Sequence, residues 1–237
     1  GSEQPSDTLT ARRGTRLEWL IEVCVLVFLL VPSMALGPFA HWHMHSFAML
    51  AILTVLRDLG LVCLVLYFLW HNHEPVTWLG WTARHAWLEC LLGVLLFVPL
   101  VYAAVWLDYL LRRLGLWGAT SNLPAILMAG SRSNLGLAVL TVAVIAVSEE
   151  TIFRGYLILR LRALTGSPAL AVVLAALLFG LGHGYEGAVG IVTIGFMGLV
   201  YGLVYWWRQS LVAPIVMHFL QDLLVLVVLP LLSARPH

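Results

Sequence analysis

Residues 135 to 160 read LGLAVLTVAVIAVSEETIFRGYLILR: thirteen uncharged residues from Leu135 to Val147, then Ser148-Glu149-Glu150, then Arg154. The apolar part is too long for a typical strand and shows no period-two alternation, so it reads as a helix. It belongs to a chain of 237 residues that is 61% hydrophobic and only 11% charged, with a mean hydropathy of +0.95. A soluble fold of this length needs far more polar surface, and the composition describes a polytopic membrane protein. Ionisable side chains at bilayer depth cost roughly 2.5–3.5 kcal/mol each on insertion scales, so they are read as functional and their partners are sought.

Working outward, apolar length and turn chemistry divide the chain into about seven spans, at 17–37, 47–70, 85–111, 135–160, 168–184, 187–207 and 211–232. The breaks are Gly37-Pro38, His71 to Gly80, Arg112 to Asn134, Gly166-Ser167-Pro168, and Gly184 to Gly187. Backbone groups facing lipid are satisfied only inside a helix or a closed barrel, which makes the expected fold all-α. The organisation read from this is a tail at 1–16, with Gly1-Ser2 a cloning remnant, then N-terminal helices and a linker at 17–134. A catalytic core at 135–232 and a tail at 233–237 complete the chain. Leu17 to Val31 lacks a short apolar region followed by a small-residue cleavage site, and is read as a mature first helix.

A net charge of +1 with no Lys/Arg cluster excludes a nucleic-acid partner. Cys24, Cys63 and Cys90 lie in apolar stretches without CxxC spacing, so they are expected to be packing residues, not a disulfide framework or a thiolate zinc site. The chain has no lysine. With the N-terminus inside, Arg12, Arg13, Arg16, Arg84, Arg160, Arg162 and Arg208 are cytoplasmic, against Arg112, Arg113, Arg132 and Arg235 outside. The expected setting is a bacterial inner (plasma) membrane, with a cytoplasmic N-terminus and the lipid bilayer as the first partner.

Glu150 and Arg154 are four apart, with the acid first, and share a helix face as an ion pair. Glu149 sits about 100° round the helix from Glu150 and has no counter-ion on its own helix. Two later groups offer partners. His183 is embedded in Phe179-Gly180-Leu181-Gly182-His183-Gly184, where the glycines allow another backbone close; it also suits a plain hydrogen bond to a carbonyl. His218 and Asp222 are again four apart on one face. With Glu149, Glu150 and Arg154, these are most of the ionisable groups in the last four spans, and one shared polar site costs less than three separate ones. Two chemistries fit. Glu149 and His183 deprotonate a water while His218 and its neighbour face the oxyanion; or Glu149, His183, His218 and Asp222 supply a catalytic zinc set. Both predict hydrolysis of a peptide bond in or beside the bilayer, with a membrane peptide or protein as substrate.

Glu149-Glu150-x-x-x-Arg154, Phe179-x-x-x-His183 and His218-x-x-x-Asp222, in that order on separate helices, resemble the CAAX prenyl protease type II and bacteriocin-processing (CPBP, or Abi) family of intramembrane proteases. Phe153-Arg154-Gly155-Tyr156-Leu157, and Gly195 to Gly202 leading to Pro214-Ile215-Val216-Met217-His218, resemble it too; the likeness spans about 135 to 225. The resemblance implies that Glu149 is the water-activating base with His183 as its partner, that Glu150 and Arg154 are an orienting pair, and that His218 and the residue four later stabilise the oxyanion. Asp222 departs from the prenyl protease branch, which carries Asn there. An ionised aspartate only accepts hydrogen bonds, so Asp222 is expected to clamp His218 as imidazolium or to ligate a metal. The family is described in both glutamate-type and metal-dependent terms.

Other features rank lower. His41, His43 and His45, like His71 and His73, read as interfacial histidines before they read as a metal site. Arg57-Asp58 interrupts the second span, and because neighbours point 100° apart each is expected to find a partner on another helix. Trp78, Trp81, Trp206 and Trp207 fit an aromatic belt, and Tyr185 and Glu186 suit the mouth of a site. Two other functions fit the same inventory: a non-catalytic immunity or sorting factor on this scaffold, and a proton-coupled transporter. The complete motif set argues against the first, and the lack of an internal repeat against the second.

Overall fold

The computed structural model describes residues 14–40, 46–82, 85–118 and 134–233. These are helical with no named strand, and nine α-helical pieces follow one another: α1 Arg16–Ala40, α2 Phe47–His71, α3 Ala86–Arg113, α4 Leu135–Glu150, α5 Ile158–Thr165, α6 Pro168–Gly182, α7 Gly187–Arg208, α8 Val212–Asp222 and α9 Leu229–Ser233. The backbone stays helical between α4 and α5 and between α8 and α9, so the described residues make seven rods, matching the seven expected spans. Five of these, Phe47–His71, Ala86–Arg113, Leu135–Thr165, Gly184–Arg208 and Val212–Leu232, are long and apolar enough to cross a membrane.

The punctuation is local chemistry. Gly166 at φ 73° ends α5 in the left-handed region that favours glycine. Ser167 then caps α6 by accepting a bond from the Leu170 amide, and Pro168 takes the first helical position. Thr141 and Thr151 return their hydroxyls to the carbonyls four residues back, Leu137 and Val147, so neither brings an unsatisfied donor into the apolar interior.

The outer faces are apolar where they meet lipid: Phe28, Trp70 and Trp106 are exposed, on a scale that a water-soluble monomer does not tolerate. Trp78, Trp81, Trp206 and Trp207 are exposed near element ends, as an aromatic belt requires. Cys24, Cys63 and Cys90 are free and exposed, which corrects the expectation that they pack the interior; a thiol is a small hydrophobe and suits a lipid-facing surface. Inside, α6 lies against α7, α3 against α8 and α2 against α4. Gly180 makes the first contact close: a Cβ there would stand 2.5 Å from the Ile191 carbonyl oxygen.

Two departures from α geometry bracket the chemistry. Immediately after Glu150 the helix widens to π geometry over Thr151–Leu157, and immediately after Asp222 over Leu223–Val228. Such widened turns recur at functional sites. The other departure is length: α6 has 15 residues, about 22 Å of rise against about 30 Å of hydrocarbon.

A second polar cluster lies past the first π segment. Arg160, counted from sequence among the cytoplasmic charges, is buried and held by Glu22 at 2.7 Å and Glu74 at 2.6 Å. Tyr156 donates to Glu22 at 2.6 Å, and Asn72 donates to the same acid. Arg208 pairs likewise with Glu89 at 2.6 Å. These two arginines are structural partners before they are topology signals. Arg12, Arg13, Arg84, Arg132 and Arg235, and His41, His43 and His45, lie outside the described residues.

Candidate active site

Glu149 and Glu150 close α4, Phe179 and His183 close α6, and His218 and Asp222 close α8, so three helix ends meet. A cavity of about 360 Å³ opens between them, and Glu149, His183, His218 and Asp222 all line it. Tyr185 and Glu186 line it as well, at the position the sequence suggested for a mouth.

Glu149 is buried, and its Oε2 has no hydrogen-bond partner among the described residues. His218 Nε2 is 3.9 Å from that oxygen. A buried carboxylate oxygen left without a protein donor, in a cavity where His183, His218 and Asp222 supply further polar groups, suits a water.

Glu150 faces away from the opening. Its Oε1 receives Arg154 Nη1 at 2.7 Å, the expected pair, and also His218 Nδ1 at 2.7 Å. The second contact corrects the division of labour expected from sequence. Helical angles assign Glu150 to Arg154 and leave His218 to Asp222, yet Asp222 stands 3.5 Å from His218 Nε2 while Glu150 takes Nδ1. A charge-assisted bond at 2.7 Å fixes the ring far more firmly than an approach at 3.5 Å. Arg154 completes the frame: Nη2 donates to the Gly198 carbonyl at 3.2 Å, and the guanidinium lies over the rings of Phe179 at 4.3 Å and Tyr201 at 5.0 Å. Tyr201 stacks on His218 from the other side at 5.6 Å.

His183 Nδ1 donates to the Phe179 carbonyl at 2.9 Å, the plain hydrogen bond the sequence also allowed. The bond does not remove the histidine from the site. It settles the neutral ring as the tautomer with Nε2 free to accept.

Arg57 and Asp58 were expected to seek partners on other helices; instead they bond each other, Nε to Oδ1 at 2.8 Å. The arginine stem is long enough to fold back across the 100° between neighbouring Cβ directions. Asp58 is buried, and Arg57 reaches the cavity wall. No group of three His, Cys, Asp or Glu side chains converges as a metal-holding set among the described residues. The closest approach is His218 Nε2 with Asp222 and Glu149. The donor types suit zinc, but the side chains as placed do not close round an ion.

No curated protein and no solved structure matches the chain. Residues 131–224 match the family described as type II CAAX prenyl endopeptidase Rce1-like, a segment that contains all three helix ends of the cavity. Over that segment the chain is similar to this family of endopeptidases, and five of its helices are long and apolar enough to cross a membrane.

Proposed function

We propose that this protein is an intramembrane endopeptidase in which Glu149 activates water against a peptide bond of a membrane-associated or C-terminal-tail substrate. One observation carries the reading: Glu149, His183, His218 and Asp222, far apart in sequence, line a single cavity, with the Glu149 carboxylate buried and one oxygen unpartnered.

In this mechanism a water sits between Glu149 and the free Nε2 of His183. Glu149 takes one proton as the water oxygen attacks the carbonyl carbon, and the carbonyl π electrons move to oxygen. His218, its Nδ1–H held by Glu150, turns Nε2 toward the cavity and meets that oxyanion as an imidazolium supported by the surrounding carboxylates. Collapse of the tetrahedral intermediate breaks the C–N bond, and Glu149 returns its proton to the leaving nitrogen. One new acid and one new amine result. Asp222 only accepts hydrogen bonds, so its part is to support His218, not to donate to the oxyanion.

The experiment is cleavage of a membrane-embedded peptide by purified protein, wild type against Glu149→Gln. Gln keeps the shape and removes the base, so cleavage should fall by roughly a hundredfold to ten-thousandfold. Equal cutting by both proteins overturns the assignment. Transport of protons in liposomes without any cleavage would favour the transporter instead.

A further inference from the structure

The mechanism above gives the oxyanion one donor, the imidazolium of His218. Asp222, on the same face of α8, only accepts hydrogen bonds, so a second donor has to come from elsewhere on the wall. Two phenols line the cavity, Tyr185 and Tyr201. They stand against different histidines. Tyr185 lies beside His183, with ring centroids 5.9 Å apart, on the side where the water is held. Tyr201 stacks on His218 at 5.6 Å with 19° between the ring planes, on the side where the oxyanion forms.

Tyr201 is also incompletely satisfied. It is 0% exposed, and its hydroxyl has no hydrogen-bond partner among the described residues. Buried hydroxyls are normally bonded, and one that is not calls for an explanation. Thr193 and Gln221 line the cavity and each leave an oxygen without a partner too. The orphaned atom of Gln221 is Oε1, an acceptor, which an oxyanion cannot use. Thr193 precedes Tyr201 by eight residues on α7, about 12 Å of helical rise, and so stands toward the mouth. The charges near enough to act on Tyr201 are those of Glu150, Asp222 and Arg154, the groups that frame His218.

The ring is held where it can serve. Arg154 places its guanidinium carbon 5.0 Å from the Tyr201 centroid, while His218 stacks on the same ring. A cation against a π face draws electron density from the ring, which makes the O–H a better donor. Phenols ordinarily titrate at about 10, so at neutral pH the proton is present to be shared.

We infer that the Tyr201 hydroxyl is a second oxyanion donor, a neutral one beside the charged His218, and hence a catalytic residue of this protein. This rests on the endopeptidase reading and adds a residue to its mechanism. The phenol keeps its proton throughout. It has no acceptor among the described residues to give up, and it gains one as the carbonyl oxygen takes on charge. The bond is thus stronger in the transition state than with bound substrate, and it acts on kcat and not on KM.

The test compares full-length Tyr201→Phe with wild type on one membrane-embedded peptide. It adds a phosphonamidate analogue of that peptide, whose tetrahedral anionic phosphorus copies the intermediate. Loss of one oxyanion donor should cut kcat by roughly a hundredfold to a thousandfold, with KM within about twofold of wild type. The analogue should bind more weakly by a similar factor. Tm should stay at the wild-type value or rise, because the change removes a buried hydroxyl that has no partner. Unchanged kcat in Tyr201→Phe, beside a defective Glu149→Gln, overturns this inference and leaves the endopeptidase standing. So does a loss that falls on KM, a loss accompanied by a lower Tm, or a loss of kcat with analogue binding intact, since each of these marks a packing role. Absence of cleavage by wild type overturns the endopeptidase reading and this inference with it.

Discussion

His218 Nδ1 lies 2.7 Å from Glu150 Oε1, the same oxygen that accepts Arg154 Nη1 at 2.7 Å. One carboxylate oxygen thus ties α8 to α4, while Arg154 extends the tie to α7 through the Gly198 carbonyl. All three side chains are buried, so the contact is worth most when complete and costs most when broken.

The first prediction separates the two neighbouring acids. Glu150→Gln leaves Arg154 without its counter-ion and should destabilise the protein by about 3–5 kcal/mol, as expected for breaking a buried pair. Thermal unfolding in detergent should report a clear drop in Tm. Glu149→Gln should leave Tm near wild type or raise it, since it removes a buried acid with an unpartnered oxygen, while cutting cleavage by the factor given above. A large Tm loss in Glu149→Gln would contradict the placement of that carboxylate.

The packing of α6 on α7 can be probed through glycine. In Gly180→Ala the new methyl meets the Ile191 carbonyl at 2.5 Å and Gly195 Cα at 3.0 Å, both backbone, so the helices must move apart. About 1–3 kcal/mol of destabilisation is expected. Gly136, with nothing within 4 Å of an added Cβ, is the control: Gly136→Ala should not lower Tm.

Removing Glu22 should act far from the cavity. Glu22→Ala strips Arg160, Tyr156 and Asn72 of a shared acceptor. Stability should fall by about 3–5 kcal/mol, with Glu74 as the remaining counter-ion moderating the loss. Protein that survives purification should still cut with a wild-type KM, because none of these residues lines the cavity.

Metal content discriminates between the two chemistries left open by the donor types. In protein prepared without a histidine tag or chelator, elemental analysis of wild type and His218→Ala should find no stoichiometric zinc in either, and activity should persist in EDTA. Zinc bound one-to-one in wild type and lost in the variant would move Glu149 and Asp222 from base and support to ligands.

Much of this was legible in the chain. Seven apolar stretches became seven helical rods because lipid permits little else, and Gly166-Ser167-Pro168 marks its turn with chemistry that works the same way in any fold. The cavity lining was legible too, since Glu149, His183, His218 and Asp222 were too expensive to bury separately. What failed were inferences from angles within one helix. Glu150 looked fully occupied by Arg154, but a carboxylate oxygen accepts more than one bond, and sequence does not say which helix supplies the second. Arg57 and Asp58 looked divergent, but a long flexible stem outweighs Cβ direction. Glu22 gave no signal of its own: an acid near the start of a first helix reads as interfacial until Arg160, 138 residues later, is seen against it.

The π segment at Thr151–Leu157 has a bearing on insertions and deletions. Each residue added to or removed from a regular helix turns everything beyond it by about 100°. The widened turn sets the rotational phase between Glu149-Glu150 on one side and Arg160 on the other, so that both polar groups point inward from the same rod. Deleting one residue between 151 and 157 would rotate Arg160 out of reach of Glu22 and Glu74 while leaving every side chain of both clusters present. The length of that stretch is as much a determinant of the structure as the identity of any residue in it.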